Sequence, residues 1–441
     1  MSQNQKEDQL EIASWIKNIS FYALNWRGEL CLNTEIPEMN SLYVELISIF
    51  AESKSNEDDR TTLGIQALQI ATPEKKNKIF SLVEKYSKKE PKMHRLRKAF
   101  QQHITDGEHF FLFPFPLGLS TEKEISLSMT LQSLNSEIPY ESLHETLSYA
   151  FGKIIENYEM IGANGDSPFF SGEPDKKLRV CRYCGDSSPK TSFSNTGHTI
   201  SEGLGNKKII TNDECDKCNK KFGDGIEQTF IDYVSFFRTQ FGVKGKEGIA
   251  DTVGENFRFK RIADRKFVLE YTSDNTENTD GPPESITLTP YKKTVPQDIY
   301  RALCKYALGL VNNEHLKAFG KTIKWIKGEF DASRLPKVAQ AFTFTFFDEH
   351  PSIAIYIRKN DLKCFPYAVC EFHFVCLTFV FLIPLFNNEE NEIHTDEYFD
   401  SFWELFQYSK TSHIWQYFDF SGIEAIKIPQ TLRFSPARSE G

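Results

Sequence analysis

Residues 181–222 of the chain read CRYCGDSSPKTSFSNTGHTISEGLGNKKIITNDECDKCNKKF. They contain two Cys-x-x-Cys pairs, Cys181/Cys184 and Cys215/Cys218. The two pairs enclose one histidine, His198. Four thiolates in two such pairs are the ligand set that Zn²⁺ takes at tetrahedral angles. We therefore predict a structural zinc site, and the alternative is four unrelated buried thiols. Because four protein ligands leave no open position on the metal, this zinc would not be catalytic.

Length and composition are typical of a soluble protein with several domains. A chain of 441 residues is too long for one ordinary core, so two or three domains are expected. The net charge of −9 excludes a general attraction to nucleic acid, so any phosphate contact must come from local basic patches. The 38 phenylalanines predict large aromatic contact areas and sheets in the second half of the chain.

The cysteines and the start of the chain predict a cytoplasmic protein. The first ten residues, MSQNQKEDQL, contain no apolar targeting segment. The cysteines outside the two pairs lie in apolar contexts and are predicted to be reduced core residues: Cys31, Cys304, Cys364, Cys370 and Cys376. The longest apolar run, 374–386, contains a proline and is too short to span a bilayer comfortably, so it predicts a buried strand or strand pair.

We predict a mainly helical N-terminal domain over residues 1–175, which ends in a Gly/Pro-rich segment. Apolar residues at helical spacing predict helices that include 8–21, 39–50, 75–86 and 140–160. Residues 124–131 alternate instead and favour a strand. The window 75–98 is rich in lysine and arginine, and it either holds phosphates or is a solvated helix face.

The remaining chain is predicted to form two further domains. Residues 176–241 contain the cysteine pairs, and residues 242–441 read as an α+β domain for sensing, substrate positioning or oligomerisation. The patterns in this last part predict a hairpin at 257–272, helices at 295–311 and 315–327, and a group of strands between 341 and 386, followed by a closing helix at 397–408. The fold class predicted for the whole chain is α+β multidomain.

The polar residues between the cysteine pairs are the parts that a phosphodiester hydrolase needs. A neutral imidazole such as that of His198 can activate water at physiological pH. A hard divalent cation takes oxygen ligands from Asn, Asp or Glu and neutralises charge on the phosphate. A neighbouring asparagine can fix the imidazole ring by a hydrogen bond. The polar side chains of this stretch are His198, Glu202, Asn206, Asn212, Asp213, Glu214 and Asn219.

The order of these residues resembles the HNH endonuclease family, in particular its zinc-bound subgroup with two Cys-x-x-Cys pairs. The resemblance extends over about residues 178–230. It lies in the first Cys-x-x-Cys pair, then His-x-Ile-x-Glu-x-Leu-Gly-Asn from His198 to Asn206, then Asn-Asp-Glu-Cys-Asp-x-Cys-Asn from Asn212 to Asn219. The family fold that this implies is a ββα-metal finger, a hairpin followed by a helix, which grips one catalytic cation.

The resemblance also implies roles for single residues. His198 would be the general base for the attacking water, Asn212 would support the loop and the base, and Asn219 would ligate the cation at the start of the helix. Glu202 and Asn206 each either take part in catalysis or fix the loop between the strands. Many family members carry a second metal ligand just before the base, where this chain has Gly197. Either another residue supplies that ligand, or the cation binds weakly; the candidates are Glu202, Glu214 and Glu227.

The function implied is that of an endonuclease dependent on Mg²⁺ or Mn²⁺, with DNA as the favoured substrate and RNA as the alternative. Such a protein fits the effector of a bacterial restriction or anti-phage defence system. The alternative is a non-catalytic zinc module that binds nucleic acid or protein. The sequence leaves open the target, the activating signal, and whether a homo-oligomer or a regulatory partner is involved.

Overall fold

The computed structural model describes residues 16–57, 60–115, 121–245, 248–263, 266–272, 285–342, 348–362, 364–387, 395–406 and 414–433. The chain divides into two compact units, Met1–Tyr149 and Ala150–Gly441. Both units contain helices and sheets, so the α+β class is confirmed. Among the described helices, none has the length and apolar character needed to cross a bilayer.

The first unit combines a small antiparallel sheet with helices packed on it. Its strands are β1 Ile16–Ala23, β2 Trp26–Asn33, β3 Ala51–Glu57, β4 Arg60–Ile65, β5 Leu68–Ile70 and β6 His109–Phe113. Its helices are α1 Pro37–Phe50, α2 Pro73–Tyr86, α3 Met93–Gln102 and α4 Thr121–Ser136. The sheet has the order β2-β1-β6-β5, and β3 pairs with β4 as a separate hairpin. The prediction of a mainly helical N-terminal domain missed this four-stranded sheet, although helices still account for more of the described residues of this unit than strands do.

Two of the predicted elements in this unit are replaced by the other kind of structure. The described part of the predicted helix 8–21 lies in strand β1, in which all residues of 19–23 are buried. The predicted strand 124–131 lies inside α4, where apolar spacing alone did not distinguish a helix from a strand. The predicted helix 75–86 is confirmed as α2, which begins at Pro73, where the Thr72 hydroxyl caps the helix and accepts a hydrogen bond from the Lys75 amide at 3.2 Å.

The second unit begins within a helix that crosses the point of division. Its helices are α5 Tyr140–Asn157, α6 Asp216–Asp224, α7 Ile226–Tyr233, α8 Ser235–Phe241, α9 Pro296–Leu310, α10 Asn313–Leu316, α11 Gly320–Ile326 and α12 Asp396–Trp403. Its strands are β7 Tyr158–Asn164, β8 Phe169–Ser171, β9 Ile209–Thr211, β10 Thr252–Val253, β11 Phe257–Ala263, β12 Lys266–Tyr271, β13 Ser285–Leu288, β14 Val338–Phe342, β15 Asp348–Arg358, β16 Ala368–Val375, β17 Leu377–Leu382, β18 Trp415–Phe418 and β19 Gln430–Arg433.

A six-stranded antiparallel sheet of order β18-β14-β17-β16-β15-β7 organises this unit. Strand β7 belongs to it although the predicted boundary at residue 175 assigned that strand to the N-terminal domain, because β7 pairs with β15 along seven residues. The apolar run 374–386 forms the end of β16 and the whole of β17, as the predicted strand pair. The predicted hairpin at 257–272 is confirmed as β11 and β12. The division into three domains stays a prediction.

Helix α9 lies at the centre of the second unit. All of its residues except Asp298 are buried, as expected for a helix enclosed on every side. One continuous apolar cluster includes α9 residues such as Tyr306, sheet residues such as Phe372, and residues between the cysteine pairs such as Ile200. The segment with the cysteine pairs therefore shares its core with residues more than 100 positions later in the chain.

The five remaining cysteines divide into two groups. Cys304, Cys370 and Cys376 are buried, as predicted. Cys31 and Cys364 are exposed, so their assignment to a core is wrong. Cys31 lies in β2, where inward and outward positions alternate.

Candidate active site

The four paired cysteines come together as a site suited to zinc. Their sulfur atoms all lie within 4.8 Å of one another, and Cys184 Sγ is 3.7 Å from Cys215 Sγ. Four sulfurs bound tetrahedrally at about 2.3 Å from one zinc are separated by about 3.8 Å, so the spacing fits the ion. A hydrogen bond with the Cys218 thiol lowers the pKa of Cys181 to about 5, which favours a thiolate ligand.

Local structure prepares both cysteine pairs for one metal. Gly185 adopts the left-handed conformation with φ +75°, and its amide donates to the Cys181 carbonyl at 2.8 Å, so the first pair forms a tight turn. Cys215 precedes the first turn of α6, and Cys218 lies within that turn. The second pair thus occupies a helix start, where side chains three residues apart share one face.

The histidine between the pairs lies on a short hairpin that leads into α6. His198 bridges Ile210 of β9, the Thr199 amide donates to the Ile209 carbonyl at 3.0 Å, and the Thr211 amide donates to the Gly197 carbonyl at 2.7 Å. Helix α6 follows β9 after four residues. This succession of hairpin and helix is the ββα arrangement that the resemblance implies.

The position before the histidine accepts only glycine. A Cβ atom on Gly197 would lie 2.7 Å from the Thr211 carbonyl oxygen and 3.0 Å from Glu214 Cβ. Backbone on one side and a fully buried side chain on the other cannot move away cheaply. The absence of a metal-binding side chain here therefore follows from the packing of the hairpin against the residues before α6.

Two predicted polar residues hold the loops of this segment. Asn206 is fully buried, and its amide nitrogen donates to the carbonyls of Ile200 and Ile209 at 2.7 and 2.9 Å. Its oxygen accepts from the amides of Lys208 and Ile209. Asp213 is buried and forms an ion pair with Arg182. All hydrogen-bonding capacity of Asn206 is thus used within the protein, which supports its loop-fixing interpretation over a catalytic one.

The other candidate site residues are half-buried and lie around the hairpin. Asn219 is in the first turn of α6, directly after Cys218. Asn212 follows β9, and its side-chain oxygen accepts from Arg179 Nη2 at 3.3 Å. Glu202 begins a single 3₁₀ turn, Glu202–Leu204. His198 therefore lies on the hairpin, Asn212 directly after the hairpin, and Asn219 on the helix that follows.

A buried ion cluster that sequence patterns did not predict lies under the hairpin. Lys305 Nζ of α9 is 2.6 Å from Glu227 Oε1 and 3.2 Å from Glu214 Oε2, and the Lys305 and Glu214 side chains are completely buried. The same ammonium group donates to the carbonyl oxygen of His198 at 3.0 Å. Lys305 therefore connects the central helix to the backbone of the candidate base.

Charge balance in this cluster depends on Lys305. Burial alone disfavours its charge, but attraction to Glu214 and Glu227 outweighs that effect and raises the pKa of Lys305. Burial raises the pKa of Glu214 to about 7 although Lys305 acts in the opposite direction. Both glutamates were candidates for a second cation ligand, and both face Lys305 instead. One signal for the cluster existed in the sequence, a single lysine inside the otherwise apolar helix stretch 302–310.

A second buried contact joins the first cysteine pair to the end of α9. Arg182 donates through Nε to Asp213 Oδ1 at 2.6 Å. Its Nη1 donates to the carbonyls of Leu308, Gly309 and Val311 at 2.8, 3.0 and 3.2 Å. The last carbonyls of a helix have no hydrogen-bond donor within the helix, and they carry partial negative charge. A guanidinium at this end supplies both the donors and a positive charge. Nothing in the sequence predicts this contact, because its partners are backbone atoms 126 or more residues away.

The basic windows are partly neutralised by carboxylates. Five of the ten basic residues of window 75–98 form ion pairs within the first unit: Lys76–Asp106, Lys78–Glu74, Lys85–Glu45, Lys89–Glu38 and Arg97–Glu84. A second lysine-rich stretch lies at 317–327, where Lys327 pairs with Glu329 and Lys321 donates to a backbone carbonyl. These pairs favour the solvated-face interpretation for about half of the charge.

The described residues contain a single group of three or more His, Cys, Asp or Glu side chains close enough to hold a metal, and it is the four cysteines. Residues 181–235 match the model of the HNH endonuclease family. No curated protein and no solved structure matches the chain. The matched segment contains both cysteine pairs, the hairpin with His198, and the helices α6 and α7. The chain therefore carries an HNH endonuclease domain with a four-cysteine site suited to zinc.

Proposed function

We propose that the chain is a metal-dependent endonuclease that hydrolyses phosphodiester bonds of DNA. The observation that supports this most is the position of His198 on a hairpin that is held between a four-cysteine site and α6, inside the segment that matches the family model. A rigid scaffold around one imidazole is what general-base catalysis requires.

In the proposed reaction, the His198 imidazole takes the proton of the attacking water. The carbonyl oxygen of His198 accepts from Lys305 Nζ, and backbone hydrogen bonds hold the flanking residues in the hairpin. The backbone that carries the imidazole is therefore fixed in position. Asn212 follows the paired strand and is proposed to support the loop and the base. Glu202, at the start of its 3₁₀ turn, is proposed to assist catalysis.

A divalent cation, Mg²⁺ or Mn²⁺, would supply neutralisation of the charge that builds on the phosphate. Asn219 is the residue proposed to hold it. The fit is incomplete, since Gly197 cannot carry a ligand and Glu214 is paired with Lys305. Glu214 remains a candidate ligand only if it exchanges Lys305 for the cation.

Plasmid cleavage tests the proposal. We expect the protein to nick or linearise plasmid with Mg²⁺ or Mn²⁺, and we expect EDTA and His198→Ala each to abolish cleavage. His144→Ala, at an exposed position of α5, is the matched control and should cleave like the wild type. Zinc content must be equal in all three proteins, so that loss of cleavage is not loss of structure. Equal cleavage by the wild type and His198→Ala would refute the role of His198 as the base. The same assay with an RNA of the same sequence would show whether the protein cuts DNA or RNA.

A second candidate is a non-catalytic zinc module that binds nucleic acid or protein. The observation in its favour is Gly197, where packing excludes the ligand that many family members have. Retained binding of a labelled duplex, with no cleavage under any metal condition, would favour this candidate.

On the family resemblance alone, we further propose that the protein is cytoplasmic and serves a restriction or anti-phage system.

A further inference from the structure

The second unit contains a cavity of about 870 Å³ that is partly open to solvent, and its described lining starts at Tyr233, beyond the hairpin and helix that carry the candidate site. Its floor is one face of the large sheet at the β14–β18 edge, where Gln340 lies opposite Gln416 and alternate residues point the same way. Helix α8 and the hairpin β11–β12 form the walls, and β19 closes a third side. Sheet, helix and hairpin thus build the cavity from ordered elements.

Aromatic rings form much of the lining. Eight of the twenty described lining residues are phenylalanine or tyrosine. Phe236 of α8 stacks on Phe259 of the hairpin with ring centroids 4.5 Å apart, and Phe237 contacts Phe342 of the floor at 5.6 Å. These pairs fix the rings from both walls and the floor, so the aromatic surfaces are in place before anything binds.

The polar groups of the lining select against a charged occupant. None of the described lining residues is Asp, Glu, Lys, Arg or His, and four are glutamines. A phosphate or carboxylate placed here would lose its hydration without gaining a counter-charge from the lining. A neutral molecule with hydrogen-bonding groups matches amide side chains instead.

One amide in the floor has an unused donor. Gln340 is 5% exposed, and its side-chain oxygen accepts from the Tyr233 hydroxyl at 2.9 Å. This hydrogen bond fixes the orientation of the amide. Within the described residues, its nitrogen donates to no acceptor. The nitrogen is not among the fully buried side-chain atoms that lack a partner, so it keeps accessible surface and can donate to an acceptor from outside the chain.

We propose that this cavity binds a neutral, planar aromatic molecule that carries a carbonyl group. Gln340 donates to the carbonyl, and the phenylalanine rings of both walls contact the ring faces. A volume of about 870 Å³ lies within the range of small-molecule sites. The proposal does not rest on nuclease activity, because no lining residue takes part in the proposed reaction.

Nile red tests the proposal, because it is neutral, planar and aromatic, has a ring carbonyl, and fluoresces more strongly in apolar surroundings. We expect saturable binding to the full chain with one molecule per chain. Gln416→Trp, at an exposed position of the floor, should fill part of the cavity and weaken binding at least tenfold. Glu424→Trp, an exposed position outside the lining, is the matched control and should bind like the wild type.

A second variant tests the hydrogen bond by itself. Gln340→Leu keeps the size of the side chain and removes the donor, so binding should weaken about three- to tenfold. Circular dichroism of each variant confirms that it is folded. Absence of saturable binding, or equal affinity of the wild type, Gln416→Trp and Gln340→Leu, would overturn the proposal.

Discussion

Replacement of Lys305 by methionine should lower the free energy of unfolding by about 3–5 kcal/mol, because it leaves buried carboxylates without a counter-charge. The ammonium group lies 2.6 Å from Glu227 and 3.2 Å from Glu214, and the Lys305 side chain is completely buried. Methionine is also long and unbranched, so the change removes the charge and the hydrogen bond to His198 while most of the packing stays. Whole domains are stable by about 5–15 kcal/mol, so this loss would be readily measured.

Urea unfolding of the zinc-loaded protein, followed by tryptophan fluorescence, is the suitable assay. Trp325 packs against Tyr300 of α9 with ring centroids 5.9 Å apart and reports on this core. Lys321→Met is the matched control, because Lys321 is exposed and donates to one backbone carbonyl. Its loss should stay below about 1 kcal/mol. A Lys305→Met protein as stable as this control would refute the importance of the buried cluster.

Removal of all three charges separates electrostatics from packing. The combined variant Lys305→Met, Glu214→Gln and Glu227→Gln leaves no uncompensated buried charge, and buried ion clusters replaced as a whole often keep their stability. We therefore expect it to recover at least half of the stability lost in Lys305→Met. If the combined variant is instead less stable than Lys305→Met, the loss comes from packing, and our electrostatic explanation is wrong.

Further predictions concern the zinc site and three glycines. Atomic absorption should find one zinc per chain in the wild type and in Cys31→Ser but none in Cys218→Ser, and zinc retained by the last protein would contradict the site. Gly197→Ala should lower stability in urea by about 1–3 kcal/mol, whereas Gly223→Ala, which meets open space in α6, should raise it by up to about 1 kcal/mol. Gly309→Ala should also lower the free energy of unfolding by about 1–3 kcal/mol, despite the better helix propensity of alanine, because its Cβ would lie 2.5 Å from a threonine methyl group. An unchanged urea midpoint would show that α9 does not pack on the hairpin as described.

Features that depend on short spacings in the chain could be predicted from the sequence. The two Cys-x-x-Cys pairs indicated one metal site, and the structure brings all four sulfur atoms together. The helical spacing of the apolar residues in 75–86 located α2, because this period repeats with each turn. The hairpin β11–β12 followed from alternation of apolar residues on both sides of a short polar turn.

Contacts between distant parts of the chain could not be predicted in the same way. Lys305 lies 107 positions after the carbonyl that it binds, and Arg182 binds carbonyls of α9 that no side-chain pattern marks. The apolar residues of the first strand also fit helical spacing, so their pattern favours a helix, and only the pairing with β2 and β6 decides for a strand. Intrinsic helix propensities differ by only a few tenths of a kcal/mol per residue, so tertiary contacts of this kind outweigh them.

The position of α9 bears on how an HNH segment of this length stays folded. Residues 181–235 alone would have a small core, and such segments need a further constraint. The four cysteines supply one constraint at one end of the segment. Helix α9 supplies another, since Arg182 covers its last carbonyls and Lys305 reaches under the hairpin to Glu214. Because that same ammonium group binds the backbone of the proposed base, a shift of α9 would move His198 without any change in the matched segment.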